Sequence, residues 1–280
     1  MFVAPRGCGK TMMATLLATA MKTIKSNKIG RIVNCASIKN LNQFINGTII
    51  PYVHDKDCTI LLDEASELPR DVEMALLTIL NPNSENRNVF SYEDYTINFD
   101  FRRQTFMFAT SEPHRVFHAL KDRLDRIDLE EYTSDELGEI VRINLPEVDF
   151  AKGLLGEIAT VLRGNARAAQ KMAIKIQMWL DAHGGNEFFS ANWENLRHTL
   201  GIAPLGLRAK EIEILYVLRD SRDCSLTRLG SKTGMTPESL RRDYELYLMN
   251  QDLLEVSTAG RNITKVGKDY LKALELAEAA

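Results

Sequence analysis

The chain has 280 residues, 45% of them hydrophobic, and a formal net charge of −3. This length supports more than one domain, and the balanced charge excludes a coat-like, non-specific nucleic-acid binder, so any DNA contact must come from a local basic surface. The four scattered cysteines form no Cys-x-x-Cys pair, no apolar run reaches the ~18 residues of a membrane span, and the first residues lack a secretion signal. We therefore expect a cytoplasmic protein with reduced thiols and no membrane partner.

Three zones of the chain differ in their pattern. In residues 1–129, short apolar runs at 31–35, 58–63 and 105–109 alternate with amphipathic stretches, which predicts an α/β fold with a parallel sheet covered on both faces. Residues 130–203 are predicted to be helical throughout, with helices at 150–163 and 165–180.

The third zone, residues 204–280, predicts three helices and a small hairpin. Helices are expected at 207–218 and 225–233, and a third begins after Thr236 as N-cap. Strands at 253–256 and 262–264 flank a turn. Three helices followed by a hairpin are the pattern of a winged helix.

Residues 4–11 read Ala-Pro-Arg-Gly-Cys-Gly-Lys-Thr, which lacks only the first glycine of the P-loop pattern G-x-x-x-x-G-K-[ST]. Glycines let successive N–H groups turn towards phosphate oxygens. The lysine adds charge at the β- and γ-phosphates, the threonine hydroxyl can bind Mg²⁺, and a helix predicted at 12–21 directs its positive end at the same phosphates. The predicted nucleotide-binding residues here are Pro5, Arg6, Gly7, Cys8, Gly9, Lys10, Thr11 and Met12.

Only three residues precede this motif, although a P-loop normally follows a buried strand, and a segment that usually holds the adenine base is not in the sequence. Two interpretations stay open. Either the native start lies upstream, or the nucleotide is held mainly by its phosphates. A chance glycine-rich turn is the alternative without function.

Residues 59–64 read Thr-Ile-Leu-Leu-Asp-Glu, an apolar strand that ends in two acids. Asp63 would hold Mg²⁺ and Glu64 would orient and deprotonate the attacking water. Alone, such an ending is often a solvated strand end. The P-loop one strand–helix unit upstream favours a nucleotide site.

Five segments follow one another in the order of the AAA+ motifs. They are Gly7-Cys8-Gly9-Lys10-Thr11, Leu62-Asp63-Glu64-Ala65-Ser66-Glu67-Leu68, Phe108-Ala109-Thr110-Ser111, Leu120-Lys121-Asp122-Arg123-Leu124 and Arg163-Gly164-Asn165-Ala166-Arg167. The chain thus resembles the AAA+ ATPases, and most resembles the RuvB family of Holliday-junction branch-migration ATPases over nearly its whole length. The resemblance implies an AAA+ P-loop domain at 1–129, a helical lid domain at 130–203 and a winged-helix domain at 204–280.

The same resemblance implies ATP hydrolysis with Mg²⁺ in a ring, expected to be a hexamer, that pulls duplex or four-way-junction DNA. Ser111, with Thr110 as the alternative, would be the polar sensor of the γ-phosphate. Arg123, with Arg126 as the alternative, would reach the nucleotide of a neighbouring subunit. Arg167 would be the second sensor; for each arginine, the alternative is a surface charge or ion pair.

Basic residues in the third zone are candidates for phosphate contacts, which fix position without reading sequence. Arg241 and Arg242 lie on the predicted recognition helix at 236–249, and Arg261 and Lys265 lie on or near the wing. Winged helices also mediate protein contacts, so that alternative stays open.

The chain also departs from the family's pattern. Ala65-Ser66-Glu67 stands where the family carries Ile-His-Arg. Alternating residues predict a hairpin at 88–101, and a hairpin in this region docks a junction-binding partner protein in the RuvB family. The hairpin of this chain does not match the family's hairpin closely, so the partner protein is undecided. Two rival functions remain: another AAA+ ATPase, of the clamp-loader or transposition type, or a non-hydrolysing nucleotide- or DNA-binding scaffold.

Overall fold

A computed structural model describes residues 1–22 and 27–278. The chain divides into two compact units: Met1–Pro146 with Gly164–Lys175, and Glu147–Arg163 with Ile176–Ala280. The zone predicted to be helical, 130–203, is divided between the two. Among the described residues, no helix has the length and apolar character needed to cross a membrane.

The first unit contains a parallel sheet, a hairpin and flanking helices. Its strands are β1 (Phe2–Val3), β2 (Ile29–Asn34), β3 (Cys58–Asp63), β4 (Arg87–Tyr92), β5 (Tyr95–Asp100), β6 (Gln104–Thr110) and β7 (Ile127–Asp128). Its helices are α1 (Lys10–Ala20), α2 (Leu41–Phe44), α3 (Ile50–Tyr52), α4 (Arg70–Ile79), α5 (His118–Lys121) and α6 (Ser134–Ile143), with a π-helix at Ile45–Ile49. The predicted α/β fold class is confirmed.

The sheet brings three chain segments to one edge. Its strand order is β2-β3-β6-β1-β7, and every pairing is parallel. Asp63 at the end of β3 is paired with Ala109 of β6, and Val3 at the end of β1 is paired with Thr110. Because these strands run in the same direction, their carboxyl ends form one edge of the sheet. The loop after β1, the acids Asp63 and Glu64 and the residue after β6 all lie at this edge.

Apolar side chains of β3 explain why this sheet is buried. Ile60, Leu61 and Leu62 are fully buried, and a cluster around Phe44, Leu76 and Phe108 fills the space beneath the helices. A strand that is apolar at successive positions is typical of a parallel sheet covered on both faces.

The remaining elements run from residue 149 onwards. They are β8 (Asp149–Phe150), α7 (Leu154–Ala159), α8 (Ala166–His183), β9 (Glu187–Phe188), α9 (Ser190–Thr199), α10 (Ala209–Arg219), α11 (Leu226–Thr233), α12 (Pro237–Ser239), α13 (Leu246–Asn250), β10 (Leu254–Val256), β11 (Arg261–Ile263) and α14 (Lys265–Glu278). A π-helix at Leu240–Glu245 joins α12 to α13.

The prediction of an all-helical second zone was wrong. β8 and β9 pair in parallel, and the helix expected at 150–163 is reduced to α7. Gly153 (φ 83°) begins the helix late, and Arg163 (φ 55°) and Gly164 (φ 65°) adopt left-handed conformations that no helix continues through.

The winged-helix pattern was predicted correctly. Thr236 accepts a hydrogen bond from the Ser239 backbone N–H with Pro237 in the first turn, and Gly234 (φ 69°) ends α11. β10 and β11 form the antiparallel wing, with Leu254 paired to Ile263.

Candidate active site

The glycine-rich loop follows β1 directly and leads into α1. Gly7 (φ 87°) and Gly9 (φ 73°) both adopt left-handed conformations, whereas Ala4, which replaces the usual first glycine, does not. Alanine is therefore accepted at position 4 without strain. Lys10 begins α1 and is only 6% exposed, so its charge is held inside the loop.

Asp63, the last residue of β3, is hydrogen-bonded to the residue that follows Lys10. Thr11 Oγ1 donates a hydrogen bond to Asp63 Oδ2 at 2.9 Å. The other carboxylate oxygen, Asp63 Oδ1, accepts from the Glu64 backbone N–H at 3.0 Å. Glu64 has φ 54°, a conformation that few residues other than glycine adopt, and such strain clusters at functional sites.

Burial and the nearby Asp63 and Glu64 carboxylates raise the pKa of the Cys35 thiol to about 12. Burial, reinforced by Glu131, also raises the pKa of Cys8. Both thiols therefore stay protonated at neutral pH, and neither offers a reactive thiolate.

A cavity of about 780 Å³ opens above the loop. Eight of the residues predicted from the sequence line it: Arg6, Gly7, Gly9, Lys10, Thr11, Met12, Glu64 and Arg167. Pro5, Cys8, Asp63, Ser111 and Arg123 do not line it; Cys8 is buried beneath the loop with its Sγ 3.8 Å from the Gly164 carbonyl oxygen.

Sequence reasoning missed one wall of this cavity. That wall consists of Tyr132, Ile140, Ile143, Asn144, Ala166 and Gln170. Ile143 is 63% exposed, an unusual position for a large apolar side chain at the end of an amphipathic helix. The spacing of Ile140 and Ile143 on one face of α6 was the available signal.

Ser111 follows β6 at the same sheet edge. Its Oγ is buried and has no hydrogen-bond partner among the described residues. The alternative sensor, Thr110, is fully buried, and its Oγ1 accepts from the Glu112 backbone N–H at 3.0 Å. Of the two hydroxyls, Ser111 is thus the one with its hydrogen-bonding capacity unused.

Arg123 lies after α5. Its Nη1 donates to the Ala119 carbonyl at 2.7 Å and its Nη2 to Asn81 Oδ1 at 3.3 Å, while its buried Nε finds no acceptor in the described part of the chain. Arg126, the alternative candidate for contact with a neighbouring subunit's nucleotide, donates to both carboxylate oxygens of Asp128 at 2.7–3.0 Å.

The candidate DNA-binding residues of the winged helix differ in availability. Arg241, Arg242 and Lys265 are exposed. Arg261 is not: its side chain is 15% exposed, and its Nε donates to Glu245 Oε1 at 2.6 Å. The guanidinium of Arg261 is thus paired with a poorly exposed carboxylate, and DNA contact at Arg261 stays a prediction.

Comparison with known families gives two matches. Residues 1–134 match the family described as "ATPase family associated with various cellular activities (AAA)". Residues 204–272 match the "RuvB C-terminal winged helix domain". The two matches lie in the order, and close to the limits, of the first and third zones of the sequence.

Relatives with similarity along the whole chain include the Holliday junction branch migration complex subunit RuvB of Kosmotoga olearia. It is 23% identical over 97% of this chain and 79% of its own length. A Lon protease of Chloroflexus aurantiacus is 31% identical, but only over 57% of this chain and 21% of its own length. The similarity to RuvB therefore covers nearly the whole chain, whereas the similarity to the Lon protease covers little more than half of it.

Solved structures show the same fold. The Thermotoga maritima RuvB Holliday junction branch migration motor superposes with a TM-score of 0.74 at 21% identity, over 97% of this chain and 86% of that one. At this identity, the superposition shows a shared arrangement of strands and helices and does not show a shared activity.

Proposed function

We propose that this chain, which is a RuvB-like AAA+ ATPase, hydrolyses ATP in an oligomeric ring and uses the free energy to move four-way-junction DNA. Matches to an AAA ATPase domain and to a RuvB-type winged helix occur together in this chain, and relatives that bear the RuvB name are similar to it over nearly its whole length. The remaining argument concerns which residues perform each step.

The hydrogen bond between Thr11 and Asp63, 2.9 Å long, carries the proposal. It joins the phosphate loop to the acidic strand end. A hydroxyl and a carboxylate are oxygen donors of the kind that Mg²⁺ prefers, and such ions are held by few protein groups together with substrate phosphates. Thr11 and Asp63 would hold Mg²⁺ there, and the ion would supply positive charge to neutralise the triphosphate.

The other groups at this sheet edge divide the chemistry among them. Lys10 would hold the β- and γ-phosphates, and the backbone N–H groups of the loop would surround them. Glu64, which lines the cavity, would accept the proton of the attacking water. Ser111 would use its unpartnered hydroxyl to orient that water or the γ-phosphate.

The base of the nucleotide would lie against the wall of the cavity that contains Tyr132, Ile140 and Ile143. These aromatic and aliphatic surfaces suit a planar, apolar ring, with Asn144 as a polar neighbour. On this proposal, the chain holds the base as well as the phosphates.

Arg123 would complete the site of a neighbouring subunit. An arginine that acts on the nucleotide of a neighbouring subunit, an arginine finger, requires assembly, and we propose a hexameric ring.

Arg241, Arg242 and Lys265 would contact DNA phosphates. The exposed hairpin β4–β5 would dock a junction-binding partner protein.

The test is ATP hydrolysis by the assembled chain with and without four-way-junction DNA. Glu64→Gln should reduce turnover by about 10²–10⁴-fold while nucleotide still binds. Branch migration of a synthetic four-way junction separates this function from the clamp-loader and transposition types. Absence of hydrolysis in an assembled sample that binds ATP would leave the scaffold function in its place.

A further inference from the structure

The phosphate loop is held by a second segment of the same compact unit. Asn165 Nδ2 donates to the Arg6 backbone carbonyl at 3.1 Å. Next to it, Cys8 Sγ lies 3.8 Å from the carbonyl oxygen of Gly164. Two adjacent residues before α8 thus contact the loop from outside the strand–loop–helix segment to which the loop belongs.

The contact at Asn165 leaves no space for a side chain in the loop. A Cβ built on Gly7 would lie 2.2 Å from Asn165 Oδ1 and 2.4 Å from its Nδ2. The amide of Asn165 therefore packs directly against the Gly7 Cα. A side chain at position 7 would have to displace this amide, and the φ of 87° also favours glycine there.

The same amide also caps a helix. Asn165 Oδ1 accepts from the Ala168 backbone N–H at 3.1 Å, which is the bond that an N-cap residue makes to the third helical position. The capped helix, α8, carries Arg167 on the wall of the cavity. One planar side chain is therefore bonded to the phosphate loop through its nitrogen and to the start of α8 through its oxygen.

We infer that Asn165 is a positioning residue that fixes the distance between the phosphate loop and Arg167. It acts on the nucleotide through the loop backbone and through the helix it caps. This inference rests on the proposed nucleotide site and deepens it. Without the bond to the Arg6 carbonyl, the loop loses an external support, and nucleotide binding weakens more than turnover does.

Two substitutions separate this role from capping alone. Asn165→Asp keeps the size and the capping oxygen but removes the donor to Arg6. Asn165→Ser keeps a good capping oxygen, adds no charge and is too short to reach the loop. Both variants should therefore retain the thermal unfolding midpoint of the wild type.

The dissociation constant of a fluorescent N-methylanthraniloyl ADP and the KM for ATP are the quantities to measure. We expect both constants to rise on the order of tenfold in either variant, with a smaller fall in kcat. Asn192→Asp is the control for the same substitution at another helix start, because Asn192 Oδ1 accepts a hydrogen bond from the Phe189 backbone N–H at the N-cap of α9. It should leave both constants unchanged.

Wild-type affinity and KM in Asn165→Asp and Asn165→Ser would overturn the inference and leave Asn165 as a helix cap. A fall in kcat with unchanged affinity would overturn it as well. Lys10→Ala tests the nucleotide site by itself. If Lys10→Ala binds the fluorescent ADP like the wild type, the proposed nucleotide site is contradicted, and this inference with it. If Lys10→Ala binds the fluorescent ADP more weakly and the Asn165 variants do not, only this inference is contradicted.

Discussion

Thr11 and Asp63 are hydrogen-bonded across 52 positions of the sequence, with Thr11 Oγ1 donating to Asp63 Oδ2 at 2.9 Å. The bond joins the first turn of α1 to the end of β3. Parallel strand order makes this meeting possible, because β1 and β3 both end at the sheet edge where β6 also ends. A metal-bound triphosphate at this edge would touch all three segments.

Asp63→Asn tests the acidic side of this pair. The amide keeps the size of the carboxylate and can still accept from Thr11, but it lacks the charge that attracts Mg²⁺. We expect the Mg²⁺ concentration for half-maximal ATP hydrolysis to rise and turnover to fall by at least about tenfold. Titration of Mg²⁺ in a steady-state ATPase assay gives both values, with Asp269→Asn, an exposed site in α14, as the control.

Arg123→Ala tests the finger acting in trans. Alone, the variant should hydrolyse ATP ~10³-fold or more slowly, because a trans-acting arginine neutralises charge in the transition state. Mixed with Lys10→Ala subunits, activity should partly return, since intact Lys10 sites then meet intact Arg123 residues. The absence of any recovery on mixing would place Arg123 outside the neighbour's site. Arg126→Ala, whose arginine is paired with Asp128, should hydrolyse ATP like the wild type.

The parts of the site predicted from the sequence are those that depend on short segments. The apolar run 58–63 is the observed strand β3, and the helix predicted at 12–21 is observed as α1 at Lys10–Ala20. What the sequence could not supply depends on contacts between distant segments. The position of Tyr132 beside Gly9 and the support of Gly7 by Asn165 both depend on packing between segments far apart in the chain, which no local pattern encodes.

Arg261 shows the same limit in the winged helix. As a basic residue at a wing turn, it has the local character of a phosphate contact. Its pairing with Glu245 brings together residues 16 positions apart, on β11 and on the π-helix before α13. A charge count along the segment does not reveal such pairing, which removes the cation from solvent.

Arg241 and Arg261 should therefore respond differently to substitution by alanine. Loss of a phosphate contact at Arg241 should weaken DNA binding at every sequence and reduce the slope of log affinity against log salt by about 0.9. Arg261→Ala should lower the thermal midpoint, because it leaves the Glu245 carboxylate poorly exposed and unpaired. Filter binding over a salt series together with thermal unfolding separates the two; an unchanged salt slope in Arg241→Ala would remove it from the DNA surface.

Asp100 gives a pH-dependent contribution at the base of the hairpin. Hydrogen bonds from Arg102, together with one from Arg87, hold the pKa of the Asp100 carboxyl well below its ordinary value of 3.8. Because the folded state lowers this pKa, the stabilisation is complete above pH ~4 and is lost as the pH falls further. The difference in unfolding midpoint between the wild type and Asp100→Asn should thus narrow from pH 5 to pH 3. A difference that stays constant over that interval would contradict the assignment.

Arg163 and Glu211 should make the largest single ionic contribution to the second compact unit. Arg163 Nη1 and Nη2 donate to the two Glu211 carboxylate oxygens at 2.7 Å each. The guanidinium also lies 4.0 Å from the centre of the Tyr247 ring, and the Glu211 side chain is 3% exposed. Removing one partner leaves a buried charge unpaired, which costs about 3–5 kcal/mol. Arg163→Met should therefore lower the free energy of unfolding by that order in urea titrations.

The exposed pair of Arg142 and Glu139 provides the comparison for this ion pair. Glu139→Gln should lower the free energy of unfolding far less than Arg163→Met does, because solvent screens an exposed pair. Arg163→Met combined with Glu211→Gln should recover part of the loss, since the double change leaves no unpaired charge. Equal losses of unfolding free energy in Arg163→Met and Glu139→Gln would contradict this prediction. They would show that the Glu211 carboxylate is solvated and that its burial does not strengthen the ion pair.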